Sequence, residues 1–180
     1  MATVVNKNNF RVIESVHYAN YSEEEWLIDP QIPSIYDNDG NFVDYEPKRY
    51  WKVWGKNIIL KNASKRAEAD AEFLAVTKEG KKNGLKADLG EALESKYSND
   101  EKLSLLLILQ LAVATGNTAR AGYVSQLAAW IDQGQELLYT AQDSVDASAT
   151  VEEVEAIELS LDAWLAADPQ VVIRTAKGIE

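Results

Sequence analysis

The chain has 180 residues, 46% hydrophobic and 26% charged, which suits one domain or a compact unit with an arm, and at this length roughly 70% of the unfolded surface is buried on folding. Its 29 acidic and 18 basic residues leave a formal charge of -11, a field that repels phosphate backbones and anionic head groups and so argues against nucleic acid or a membrane as partner. The absence of cysteine excludes disulfides and thiolate chemistry, no signal-peptide h-region is expected near Met1, and the longest apolar run, 105–109, is far below the ~20 residues that span a bilayer.

The first 60 residues hold three of the four prolines, many aromatic and β-branched side chains and repeated turn signals, and they are predicted to be β-rich. Residues 10–16 (FRVIESV) alternate, with Phe10, Val12 and Glu14 on one face and Ile13 on the other, which predicts a strand. Ser22 and Glu25 have capping-box spacing and would open one helical turn before Asp29-Pro30 stops it. In IYDNDGNFVDY, Asp39-Gly40 between apolar flanks predicts a type I′ hairpin turn joining strands at 34–37 and 42–45. A calcium loop on Asp37, Asp39 and Asn41 is the competing reading. It is set aside because Gly40 sits only three residues after Asp37, where an EF-hand loop needs glycine at its sixth position.

The stretch RYWKVWGKNIILKN (49–62) is read by testing registers. A two-residue type II′ turn at Gly55-Lys56 pairs Val53 with Ile58 and Trp51 with Leu60, so four apolar side chains share one face; a one-residue slip would invert them all. Trp51 is then core. Tyr50, Lys52, Trp54 and Ile59 lie on the opposite face.

Beyond Asn62 the pattern is helical. Asn62 or Ser64 caps a helix with Ala67, Ala71 and Leu74 inward, which Gly80 ends; Lys82 and Gly84 mark a joint, and Leu85, Leu89, Ala92 and Leu93 begin a second helix running to about Tyr97. Lys78, Lys81, Lys82 and Lys86 are read as a solvated cluster at a helix end. Ser98-Asn99-Asp100 caps the segment EKLSLLLILQLAVATG, which is apolar on all sides and is expected to be the most buried element. Residues 118–143 form an amphipathic helix with Ala121, Val124, Leu127 or Ala128, Ile131, Leu138 and Ala141 along one stripe. After a polar joint at 143–149, Thr150 and Glu153 form a capping box for a helix whose stripe is Val154, Ile157, Leu161 and Leu165, with Trp164 beside it. Residues 171–173 could form part of a last short helix or an edge strand. The expected fold is α+β: a β-rich arm or small sheet at 1–62, then a bundle of about five α-helices at 63–180.

Recognisable chemistry is sparse. His17 is the only histidine, without an HExxH-like companion, and reads as a partly buried strand residue. Nucleophile-elbow, P-loop and dinucleotide fingerprints are missing. Glu23, Glu24 and Glu25, and Glu152, Glu153 and Glu155, fit first turns of helices, where negative charge meets the dipole, better than a glycosidase pair. No catalytic residue, cofactor or metal is expected. The aromatic residues offer a different kind of site: Trp54 with Tyr50 and Trp26 could stack on sugar rings, or with Tyr45 could form an oligomer contact, since tryptophan and tyrosine are enriched at interface hot spots, although burial under the following helices is the commoner fate of such rings.

Residues 50–53 (YWKV), Gly55, the short apolar strand 58–60 and the alanine-rich helix opening at 63–72 resemble a module of small structural proteins of tailed bacteriophages, some of which also carry a hairpin like that at Asp39-Gly40. The resemblance spans about residues 25–75. Trp54 and Lys56-Asn57 depart from the usual pattern, and the helical half lies outside the match. The resemblance implies a non-enzymatic virion component of the tail, neck or fibre-attachment region, assembled in the host cytoplasm as a homo-oligomer or with other virion proteins through Trp26, Tyr45, Tyr50 and Trp54. The alternative is a carbohydrate-binding module using the same exposed rings to recognise a glycan.

Overall fold

The structure, a computed structural model, describes residues 1–169. It is α+β, with seven short strands followed by five helices among those residues. The chain divides into two compact units, Met1–Phe73 and Leu74–Glu180. The expected alternatives for residues 171–173, helix or edge strand, lie outside the described residues.

The first unit contains a three-stranded antiparallel sheet of β1 (Ala2–Asn6), β2 (Val12–Val16) and β3 (Trp26–Ile28), in the order β2-β1-β3. The central strand is β1, a segment whose sequence gives little warning of it: three β-branched residues, Thr3, Val4 and Val5, stand beside polar KNN, and both valines are fully buried. The strand predicted at 10–16 begins only at Val12, because Phe10 has φ +54°, a left-handed conformation costly for a bulky side chain. Ser22 opens the single helical turn expected, with Glu25 N–H and Trp26 N–H both donating to Ser22 O, at 3.2 and 2.9 Å, and from Trp26 the chain continues as β3. Pairing with β1 decides this, and Asp29 extends the pairing: its N–H donates to Thr3 O at 2.7 Å while its carboxylate accepts from Thr3 N–H at 2.8 Å.

Two separate hairpins follow. In the first, β4 (Ser34–Tyr36) pairs with β5 (Phe42–Tyr45). Its turn differs from the two-residue type I′ expectation: Gly40 N–H donates to Asp37 O at 3.1 Å, Asp37 N–H donates to Asn41 O, and only Gly40 is left-handed. This is a longer loop built on a type I turn. It wins because the Asp37 carboxylate accepts from the Asn41 amide and from the backbone N–H groups of Asn41 and Asp39; the two Asn41 bonds above all hold its pKa below the usual carboxylate range. In the second hairpin, β6 (Trp51–Trp54) pairs with β7 (Asn57–Leu60) in the predicted register, Trp51 opposite Leu60 and Val53 opposite Ile58. Gly55 alone supplies the positive φ that a type II′ turn needs. Trp51 and Ile58 join Val5 and Leu27 in the core of this unit.

The helix α1 (Ala63–Lys96) is continuous, where two helices with a joint near Gly80 and Gly84 are predicted. Its first turns belong to the first unit. Interior glycines cost about 1 kcal/mol each, less than burying Leu85 and Leu89 returns at ~1.5–3 kcal/mol apiece, and both leucines are buried beyond the supposed joint. The lysines are likewise not at a helix end. Lys78 donates to the carbonyl of Asp146 at 2.8 Å, Lys81 to that of Glu155 at 3.1 Å, and Lys82 pairs with the Asp146 carboxylate at 2.6 Å. They serve the last turns of α3 (Thr118–Ala147) and α4 (Val151–Glu155), where cations meet the negative dipole end.

In the second unit α2 (Asn99–Ala114) carries the predicted capping box of Ser98 and Glu101. The expectation that it is the most buried element fails. It packs along α3 and buries Ala112, yet Leu103, Leu107, Leu111 and Val113 are 61%, 66%, 56% and 68% exposed. An apolar composition requires a covering partner before it becomes burial, and α3 covers one side. The core instead joins Leu85, Leu89 and Tyr97 to Leu127, Trp130, Leu138, Val145, Val154 and Trp164. Because Val145 continues the stripe, α3 runs into the polar joint predicted at 143–149 and ends at Ala147. The predicted single helix after Thr150 is two: α4 and then α5 (Asp162–Ala166). On one straight helix Trp164 would point about 80° away from Val154, and the break between them lets both be buried.

Candidate functional site

The first unit carries a ladder of aromatic rings that runs from its core to its surface. Buried Trp51 makes edge-to-face contacts with Phe10 at 5.8 Å and with Tyr45 at 6.2 Å between centroids. Tyr45 meets Phe42 at 5.0 Å, and Phe42 meets Tyr36 across the hairpin at 6.4 Å. Such arrangements match the aromatic quadrupole and fix ring orientation. The inner rings are covered, whereas Tyr36, Phe42 and neighbouring Val43 are each more than half exposed, with Ile35 somewhat less. A two-stranded hairpin can bury only one of its faces, and IY with FV puts apolar side chains on both. Among the described residues no further strand pairs with β4 or β5, so this hairpin also offers unpaired backbone at its edges.

The four residues singled out by sequence are dispersed over this unit. Tyr45 is the middle of the ladder, and its hydroxyl donates to Glu14 at 2.7 Å; that bond, then burial, pushes its pKa up to about 12. Tyr50 does not follow the strand alternation, because it lies in the 3-10 turn Lys48–Tyr50 that precedes β6. Its ring packs against the core, and its hydroxyl donates to Asp70 at 2.6 Å while Arg49 Nε bonds the same carboxylate at 2.7 Å. The Tyr50 hydroxyl and then the Arg49 guanidinium hold the Asp70 carboxyl below its ordinary range. These contacts tie the start of α1 to the β part. Trp26 is half-buried in β3 against Tyr21. Trp54 stands out, 68% exposed, with the Lys52 ammonium 5.7 Å from its ring centroid. Among the described residues no ring contact joins Trp54 to Tyr50 or Trp26, so the three do not assemble into a single stacking platform.

Sequence reading missed Tyr36, Phe42 and Val43 as surface residues. The signal was available in the hairpin's apolar residues on both faces. His17 is exposed rather than partly buried; it follows β2 and stacks on Tyr18 at 5.7 Å. Among the described residues no group of three or more His, Asp or Glu side chains is gathered as a metal site, and no helix is long and apolar enough to cross a membrane. In the second unit an open cleft of about 360 Å³ is lined in part by Gln126, Trp130, Gln133 and Asp168. Its carboxylate already accepts from the Tyr97 hydroxyl at 2.7 Å, and no nucleophile and base face one another across it. Comparison with family models, curated sequences and solved structures yields no match.

Proposed function

We propose that this chain is a non-enzymatic assembly protein whose β-rich unit docks on neighbouring proteins through the exposed hairpin rings and Trp54. The observation that carries the reading is the aromatic ladder. Its outer rings are exposed, yet edge-to-face contacts running back to buried Trp51 hold them in place. Side chains ordered before binding lose little freedom on binding, which favours their use as anchors. The unpaired hairpin edges offer strand addition as a second mode of contact. The resemblance of residues 25–75 to small structural proteins of tailed bacteriophages supports a virion setting, in the tail, neck or fibre-attachment region.

Glycan recognition has less behind it, since among the described residues no second ring stands beside Trp54. The test is incorporation of variants into particles in a host supplying the other virion proteins. Trp54→Ala and Phe42→Ser are each expected to reduce incorporation at least tenfold while far-UV helical content stays intact. Incorporation at the wild-type level by both variants rejects arm docking. Quenching of tryptophan fluorescence by oligosaccharide in the isolated chain, abolished by Trp54→Ala, would replace it with the glycan reading.

A further inference from the structure

A second unassigned apolar surface belongs to α2. Residues 103–119 contain no charged side chain, in a chain of which 26% is charged. Leu103, Leu107 and Leu111 recur every fourth residue and therefore stand in one row along the helix. All three are more than half exposed, as is Val113. The row is separate from the hairpin rings of the first unit.

We infer that this row is the seam of a homodimer, in which α2 packs antiparallel against α2 of a second copy, with Leu107 near the two-fold axis and Leu103 of each chain opposite Leu111 of the other. Three arguments select a second copy. The first is charge: a lipid-facing helix draws on Lys and Arg along its polar face, and a cationic partner needs carboxylates at the contact, but 103–119 offers neither. A neutral surface matches itself. The second is symmetry: a two-fold axis across a helix makes the paired helices antiparallel, so their macrodipoles attract, and rows spaced by four interdigitate in the commonest packing class. The third is area. The three leucines exposed to this extent form a patch of roughly 350 Å², the size seen at functional surfaces. Two patches face to face remove about 700 Å², and flanking Ser104, Gln110 and Ala114 bring the total to about 1,000 Å², the least that a specific interface needs.

The inference shares with the assembly reading the premise that exposed apolar surface is docking surface, but it concerns the other unit and is tested separately. Sedimentation of the full chain should give twice the 20.0 kDa chain mass at micromolar concentration. Leu107→Glu should weaken dimerisation at least a hundredfold, because two carboxylates would meet at the axis. Phe42→Ser should leave the dimer unchanged. Since the chain has no cysteine, single replacements then locate the seam. Leu107→Cys should oxidise to a disulfide-linked dimer. A mixture of Leu103→Cys and Leu111→Cys chains should cross-link to one another and not to themselves, whereas Tyr139→Cys, exposed on α3, should not cross-link. The cysteine variants decide the matter even if Leu107→Glu fails to fold. A chain that remains monomeric at several hundred micromolar overturns the inference, as does a dimer in which the Leu107 cysteines fail to link. A dimer lost in Phe42→Ser and kept in Leu107→Glu also overturns it, while leaving the hairpin's docking role standing.

Discussion

A β-carbon at Gly134 would lie 2.6 Å from Cζ2 and 2.8 Å from Cε2 of Trp164, closer than carbon atoms approach in folded proteins. The indole has no room to retreat. It stacks on Trp130 with centroids 4.1 Å apart and planes 6° from parallel, and each indole N–H donates to the other residue's backbone carbonyl, at 2.7 and 2.6 Å. Alanine in a helix interior is favoured over glycine by about 1 kcal/mol, but overpacking against a fixed ring costs about 1–3 kcal/mol. Gly134→Ala is therefore expected to destabilise the chain, by up to about 2 kcal/mol in urea unfolding. Tyr45 makes a prediction of another kind. Its hydrogen bond to Glu14 raises its folded pKa from 10.0 to about 12, so the stabilisation is fully present below pH 10 and is lost as pH rises through about 12. Absorbance titration at the phenolate band should show a late-ionising tyrosine that vanishes in Tyr45→Phe; a titration unchanged by that substitution would place the Tyr45 hydroxyl in water.

Glycine means different things in different elements of this chain. Gly80 and Gly84 lie inside α1 with nothing within 4 Å of an added β-carbon, so alanine at either should stabilise by up to about 1 kcal/mol through helix propensity and a less flexible unfolded chain. Gly55 is equally open but has φ +60°, where a β-carbon costs about 1–2 kcal/mol, and Gly55→Ala should lower the melting temperature. Opposite signs at equally open sites would show that backbone conformation, not space, sets the outcome. The same contrast explains what could be read from sequence. The register of β6 with β7 was legible because period-two alternation and one left-handed glycine each specify it. The continuity of α1 was not, because glycine as a stop signal reports local preference, whereas Leu85, Leu89 and the lysines reaching Asp146 and Glu155 act through tertiary contact. The strand β1 was missed since five residues beside polar KNN carry little periodic signal, and its identity comes from pairing on both sides. The exposure of α2 was illegible for a related reason: hydrophobicity states a demand for cover, and only the packing shows whether the chain itself supplies it. Of the candidate site, Trp54 could be singled out from strand alternation, but the ladder from Tyr36 to Trp51 joins residues on different strands and needs coordinates.

At the scale of the whole molecule, a formal charge of -11 and uncharged apolar surfaces act against each other. Copies repel through the net charge and, in the dimer inferred above, are held together through the leucine row of α2. Repulsion between exposed charges is screened within about 8 Å at physiological ionic strength and about 3 Å at 1 M, whereas apolar contact is not weakened by salt. Association between copies should therefore tighten as salt rises, the reverse of an interface built on ion pairs. Acid should act in the same direction over a defined window. As pH falls from 7 toward the pI of about 4.6, the net negative charge shrinks and the repulsion fades. Asp37, Glu68 and Asp70 have folded pKa values below their ordinary ones. Their contribution to stability is thus complete above the ordinary carboxylate range and is lost only as pH falls through the lowered values. Sedimentation at pH 7 and pH 5, in low and high salt, should give the weakest association at pH 7 in low salt and the strongest at pH 5 in high salt, with the far-UV spectrum unchanged throughout. Association that weakens with salt would assign the contact between copies to charged groups and remove the apolar surfaces from that role.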